Sequence, residues 1–216
     1  MTRLPARHRR NALESGIKPF YPILPDADWI ERLVPLGVRT VQLRYKGTQT
    51  QAIRQQITRS LEICIAHDCH LIVNDHWREA LSLGAEHVHL GQEDLATADI
   101  PTMHAREMLV GISTHTPSEV EIALSAGADS IALGPIFASR AKNVGHAPQG
   151  PAKLSDWRRR IGDRPLIAIG GITLDQASAM LAAGADAVAV ITDVTGHAEP
   201  ERRTLEWLAW QNAVRI

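Results

Sequence analysis

Residues 165–192 read PLIAIGGITLDQASAMLAAGADAVAVIT. Two short apolar runs, 165–170 and 186–192, are rich in Val, Ile and Ala, as strands buried on both faces are. Between them, residues 173–184 read as a helix. Thr173 stands as its N-cap, the apolar residues share one face, and Gly184 stops it. The stretch is therefore a βαβ unit. Gly170 and Gly171 sit where the first strand gives way to the helix. Bare backbone at a helix N-terminus suits a phosphate, since free N–H groups and the helix dipole converge there; a simple tight turn explains the pair equally well.

The same alternation runs through the whole chain. Strands are expected at 20–24, 39–43, 71–74, 87–90, 109–113, 130–133, 166–169 and 187–191. Helices are expected at 27–36, 50–67, 77–83, 102–107, 117–125, 154–161, 174–182 and 200–212. A repeat marks the helix-to-strand side: GVRTVQL, GAEHVHL, GADSIAL and GADAVAV each place Gly just ahead of a strand, where it ends the preceding helix. Eight such units in 216 residues fit an α/β fold of one (β/α)8 TIM barrel. An open doubly wound sheet is the alternative, but no G-x-G-x-x-G follows the first strand. Residues 1–18 are assigned to an N-terminal extension, frayed and solvated despite its arginines, and 19–216 to the barrel.

Composition bounds the function. The formal net charge is -1, from 23 Lys+Arg against 24 Asp+Glu, which gives no whole-chain argument for a nucleic-acid or membrane partner. No apolar run approaches the roughly 20 residues of a membrane helix, and the N-terminus lacks the apolar core of a secretory signal. Cys64 and Cys69 have no zinc-spaced companions. A reduced, cytoplasmic chain is expected. A homo-oligomer is compatible with the sequence but not specified by it.

A barrel should carry its functional groups at the C-terminal ends of its strands. There the sequence places Gln42, Arg44 and Lys46; Asn74 and Asp75; Asp94; Ser113 and His115; residues 139–142; Gly170 and Gly171; and Thr192. Arg44, Lys46 and Lys142 supply fixed positive charge, and Asp75 and Asp94 supply carboxylates. Cations and acids together suggest a metal-bound diphosphate, because Mg²⁺ takes a few carboxylates and completes its shell with phosphate oxygens and water. A ring of structural salt bridges is the alternative. Asn74 and Ser113 could donate to the same phosphates, or turn the chain and cap the next helix, respectively. Gln42 offers a planar amide that could bond a heterocycle in two directions, or serve structurally. His115 could carry a proton or be structural, while His87 and His89 read as barrel-layer residues and not as a metal pair.

Taken together, YPIL, VQLRYK, VNDHWREAL, HVHLGQEDL, GISTHT, ALGPIF, HAPQG, AIGGI and AVAVIT, in this order and spacing, resemble the thiamine phosphate synthase family over nearly the whole chain. The resemblance implies a (β/α)8 barrel that joins a hydroxymethylpyrimidine diphosphate to a thiazole phosphate with Mg²⁺, releasing pyrophosphate. It assigns Gln42, Arg44, Lys46, Asn74, Ser113 and Lys142 to the pyrimidine diphosphate, with Arg44, Ser113 and Lys142 acting on the departing group. Asp75 and Asp94 match the Mg²⁺ ligands. Ser139, Arg140, Ala141, Gly171, Ile191 and Thr192 fall in the thiazole phosphate site. The chain departs from the family where Ala141 replaces a threonine and Thr192 a serine; loss of the hydroxyl at Ala141 implies somewhat weaker thiazole phosphate binding. A thiazole tautomerase of the same barrel family, or a non-catalytic phosphate-binding paralogue, are the competing readings.

Overall fold

A computed structural model describes residues 16–138 and 147–214. Its strands are β1 (Phe20–Leu24), β2 (Thr40–Leu43), β3 (His70–Asn74), β4 (His87–Leu90), β5 (Leu109–Thr114), β6 (Ser130–Leu133), β7 (Leu166–Ile169) and β8 (Ala187–Val190). They pair in parallel and in chain order, with β8 closing on β1. The expected barrel is the observed one, and no strand end differs from expectation by more than one residue.

The helices are α1 (Ala27–Leu33), α2 (Thr50–Ala66), α3 (Trp77–Ser82), α4 (Ile100–Ala105), α5 (Pro117–Ala126), α6 (Ala152–Ile161), α7 (Leu174–Ala182), α8 (Thr192–Thr195) and α9 (Pro200–Ala213). Helix α6 begins two residues earlier than expected, and three others differ for identifiable reasons. After α1 the chain tightens into a 3-10 turn at Val34–Leu36, where Pro35 supplies no backbone donor. Helix α4 begins two residues early, since Asp99 caps it by accepting from the Thr102 N–H, and Pro101 fits its first turn. Helix α8 was not expected at all; a single turn has no periodicity to read.

The glycine repeat does what its position implies. Gly37, Gly84, Gly127 and Gly184 all have left-handed φ, between 79° and 114°. In the two GAD copies the aspartate then ties neighbouring strands. Asp129 accepts from the Val110 N–H and Asp186 from the Leu166 N–H, each at 2.8 Å.

Alternation along the strands divides two cores. Outward residues such as Val41, Val88, Val110 and Ile131 join the helices in one large apolar cluster. The inward apolar residues Tyr21, Ile23, Ile72, Ala132, Ile167, Ala187 and Ala189 form a second cluster inside the barrel. Ile17 joins that inner cluster, and the Lys18 N–H donates to Thr40 Oγ1 at 2.9 Å. Residues 16–18, assigned from sequence to the extension, thus pack against the barrel. Most of the remaining inward positions on β2 to β6 are polar, including Thr40, Gln42, Asn74, His87 and Ser130, all buried, whereas Leu109 and Gly111 on β5 are not.

Candidate active site

The C-terminal strand ends surround one cavity. Gln42, Arg44, Lys46, Asn74, Asp75 and Ser113 line one side; Ile169, Gly170 and Ile191 line the other. Asp94 stands beside this wall, close enough to Asp75 for their carboxyls to influence one another. Gly171 and Thr192 lie next to lining residues but do not line the cavity themselves. Ser139, Arg140, Ala141 and Lys142 fall outside the described residues.

Each group is held by its strand end. The Arg44 N–H donates to Leu24 O at 2.8 Å, extending the β1–β2 pairing into the mouth. Gln42 is 3% exposed, and its Nε2–H donates to the Tyr21 hydroxyl at 2.7 Å. Burial raises the Tyr21 phenol far above its ordinary range, so it stays protonated. Tyr21 lies in the YPIL motif and lines the cavity, a contact that sequence reading missed. Asn74 turns the chain and also lines the cavity. Its carbonyl accepts from His76 N–H in the turn, while its side chain faces the cavity.

Asp75 has φ 63°, a left-handed conformation that a short acidic side chain tolerates. Its N–H donates to His89 O at 3.0 Å, which fixes the turn. Lys46 Nζ lies 2.6 Å from Asp75 Oδ2, so the salt-bridge alternative holds for this pair. The two side chains are 54% and 28% exposed, and such a pair stabilises by about 1 kcal/mol at most. A more highly charged ligand can therefore draw Lys46 away from it.

Asp94 accepts from the Gly91 N–H at 2.8 Å. Burial above all, then the charges of Asp75 and Glu93, push its carboxyl above the ordinary range against that bond. Asp75 and Asp94 thus bring two carboxyl groups together at the mouth. Among the described residues no group of three or more His, Cys, Asp or Glu could hold a metal ion.

Ser113 does not cap α5; Thr116 does, accepting from the Glu119 N–H. The Ser113 hydroxyl instead lies 2.8 Å from His89 Nε2. His89 thus reaches the cavity wall, beyond the layer role expected of it. His115 also lines the cavity, with Nδ1 2.9 Å from Glu119 Oε2.

Across the mouth, Gly170 and Gly171 have φ of 98° and 67°. A methyl group on Gly171 would lie 2.5 Å from Ala138 O, and the Phe137 N–H donates to Gly170 O at 2.9 Å. The pair is more than a tight turn: it lets the segment after β6 press against the end of β7. Ile191 and Thr192 are fixed from behind. Asp193 accepts from Arg203 at 2.9 and 3.0 Å and from Trp207 Nε1–H at 2.7 Å.

Residues 22–194 match the family model described as thiamine monophosphate synthase. A thiamine-phosphate synthase of Rhizobium etli is 50% identical over 193 residues, covering 89% of this chain and 95% of that one. One from Neisseria meningitidis serogroup A is 43% identical, covering 88% and 92%. The solved thiamine phosphate pyrophosphorylase of Pyrococcus furiosus superposes with a TM-score of 0.78 at 25% identity, over 89% of this chain and 95% of that one. Among the described residues, no helix is long and apolar enough to cross a membrane.

Proposed function

Because the chain belongs to the thiamine monophosphate synthase family, whose members are transferases, we propose that it joins 4-amino-2-methyl-5-(diphosphooxymethyl)pyrimidine to thiazole phosphate or its carboxylate form, yielding thiamine phosphate and pyrophosphate. The observation that carries this reading is one cavity wall holding Gln42, Arg44, Lys46, Asn74, Asp75 and Ser113 together, with Asp94 beside it. A planar amide at depth and cations at the rim suit a heterocycle that bears a diphosphate.

In this reading Gln42, braced by Tyr21, orients the pyrimidine. Arg44, Lys46, Ser113 and Lys142 hold the diphosphate and stabilise the charge that develops on it as the C–O bond breaks. Asp75 and Asp94 would hold Mg²⁺, which when bound supplies further charge neutralisation to the leaving group. Ser113 Oγ lies 2.8 Å from His89 Nε2, but the reaction needs no side-chain nucleophile: in a dissociative substitution the thiazole nitrogen captures the pyrimidine methyl cation. The apolar wall of Ile169 and Ile191, with Gly171, Thr192 and residues 139–141, would receive the thiazole phosphate, and positioning two bound substrates would contribute much of the acceleration.

The test incubates the protein with both substrates and Mg²⁺ and measures pyrophosphate and thiamine phosphate together. Equal amounts of both support the synthase. Consumption of thiazole carboxylate phosphate alone would reassign the chain as a tautomerase, and binding without product as a ligand-binding paralogue.

A further inference from the structure

Beneath Ser113 the barrel interior holds a line of imidazoles. His89 Nε2 lies 2.8 Å from Ser113 Oγ, and His87 Nδ1 lies 2.9 Å from His70 Nε2. Between these pairs stands Gly111, whose strand partners are His89 on β4 and Ser130 on β6. A methyl group on Gly111 would lie 2.7 Å from Ser130 Oγ, 2.8 Å from His89 Nδ1 and 3.5 Å from His87 Nε2. Three polar atoms therefore converge over one α-carbon. His87 is 1% exposed, and among the described residues its Nε2 is the one buried side-chain N or O atom without a hydrogen-bond partner. Buried polar atoms of this kind are normally satisfied by an internal water with two to four polar partners.

We propose that His70, His87, Ser130 and His89, joined by an internal water over Gly111, form a directional hydrogen-bond chain that makes His89 a positioning residue: it donates to Ser113 and leaves the Ser113 hydroxyl proton for an anionic oxygen in the cavity.

The direction follows from donor and acceptor counting. A serine hydroxyl has one proton. If Ser113 gave it to His89 Nε2, only lone pairs would face a diphosphate, a repulsive arrangement beside an anion. For Ser113 to donate outward, His89 must carry its proton on Nε2. A neutral imidazole has one donor and one acceptor, and burial holds His87 in that form. His89 Nδ1 is then an acceptor, filled by the Ser130 hydroxyl or the water. His87 Nε2–H donates into the same space, and His87 Nδ1 accepts from His70 Nε2–H. The direction is passed on when the water accepts from His87 Nε2–H and donates to His89 Nδ1, and the opposite polarity ends with Ser113 facing the anion as an acceptor. The inference about the ligand rests on the diphosphate reading of this cavity, whereas the tautomers can be observed without it.

The tautomers are read from ring ¹⁵N–¹H spectra of the labelled full chain at neutral pH, with and without inorganic pyrophosphate and Mg²⁺, assigned through H87Q and H89Q. The expected result is a proton on Nε2 of both His87 and His89. A proton on His89 Nδ1, or an imidazolium there, would overturn the proposal. A second test is a double-mutant cycle on kcat/KM for the pyrimidine diphosphate. H87F should lose about tenfold, the worth of one well-placed hydrogen bond, but less than about twofold when Ser113 is already alanine. Equal losses in both backgrounds would show that His87 acts only through the fold. If H87F does not fold, H87Q completes the cycle with the same criterion. Failure to form thiamine phosphate would sink the functional reading alone, since the ring spectra still decide the chain.

Discussion

Gly111→Ala tests the crowding over β5 with a single methyl group. Placed on the existing backbone, that carbon falls 2.7 Å from Ser130 Oγ and 2.8 Å from His89 Nδ1, roughly half an ångström inside ordinary contact. Ser130 can turn its hydroxyl aside. His89 has less freedom, because its ring is bonded to Ser113 and its strand is paired on both sides. Overpacking of this kind costs about 1–3 kcal/mol. Losing a glycine restricts the unfolded chain and offsets about 0.4–1 kcal/mol of that. The net expectation is a loss of about 1–2 kcal/mol, or roughly 2–8 °C in Tm for a chain of this size. The displaced His89 should also raise KM for the pyrimidine diphosphate more than for the thiazole phosphate. Thermal scans and steady-state kinetics measure both. A variant with unchanged Tm and unchanged KM would show that the methyl group displaces neither the His89 ring nor a water bonded to it, and would refute the convergence over Gly111.

Asp94→Asn should leave Tm nearly unchanged, since the side chain accepts one loop hydrogen bond that an amide oxygen can still accept; turnover and its Mg²⁺ dependence should fall steeply in the product assay. Asp193→Ala should destabilise by about 2–4 kcal/mol in urea titration, because it removes the partner of Trp207 Nε1–H and leaves Arg203 with Glu206 alone, at a site where Asp193 is only 10% exposed, and it should weaken thiazole phosphate binding through Ile191 and Thr192. Stability should also depend on acid: burial pushes His89 down to about 4 and moves His87 the same way, so between about 4 and 6.5 the unfolded chain binds more protons than the folded one. The contribution is complete above about 6.5 and lost as pH falls, with His89 accounting for at most about 2 kcal/mol by pH 5 because its cavity edge keeps some solvation; denaturant titrations with chelator should give a flatter pH profile for H89Q.

The architecture was legible because each of its determinants is local. A C′ glycine before a strand, a capping residue before a helix and an apolar run between them are all adjacent in sequence. The mouth was legible for the same reason, since a strand end is a position along the chain. What sequence did not expose depends on register between strands. His89 touches Ser113, and Gly111 lies under both His89 and Ser130, only because β4, β5 and β6 pair as they do. The alternation of His87 and His89 correctly turned both inward, but alternation carries no depth, so it could not separate the histidine at the cavity from the one beneath it. Asp193 escaped notice because its partners lie 10 and 14 residues away on another helix.

The polar half of the barrel interior also bears on which substrate goes where. Buried polar groups cost stability unless they are mutually satisfied. This barrel places most of its inward-facing ones on β2 to β6, and lines the arc from β6 through β8 to β1 with Ile, Ala and Tyr21. A core required only to hold the fold would gain from apolar residues throughout. The polar arc lies on the strands that end in Arg44, Asn74 and Ser113, whereas the apolar arc ends in Gly170 and Ile191. Groups that must hold an anion need donors fixed in direction, and fixed donors need partners of their own beneath them. In the proposed reading, the polar interior supports the diphosphate side of the mouth, and the thiazole side would rely on backbone at Gly170 and Gly171 and on the Asp193 anchor, which need no polar layer below.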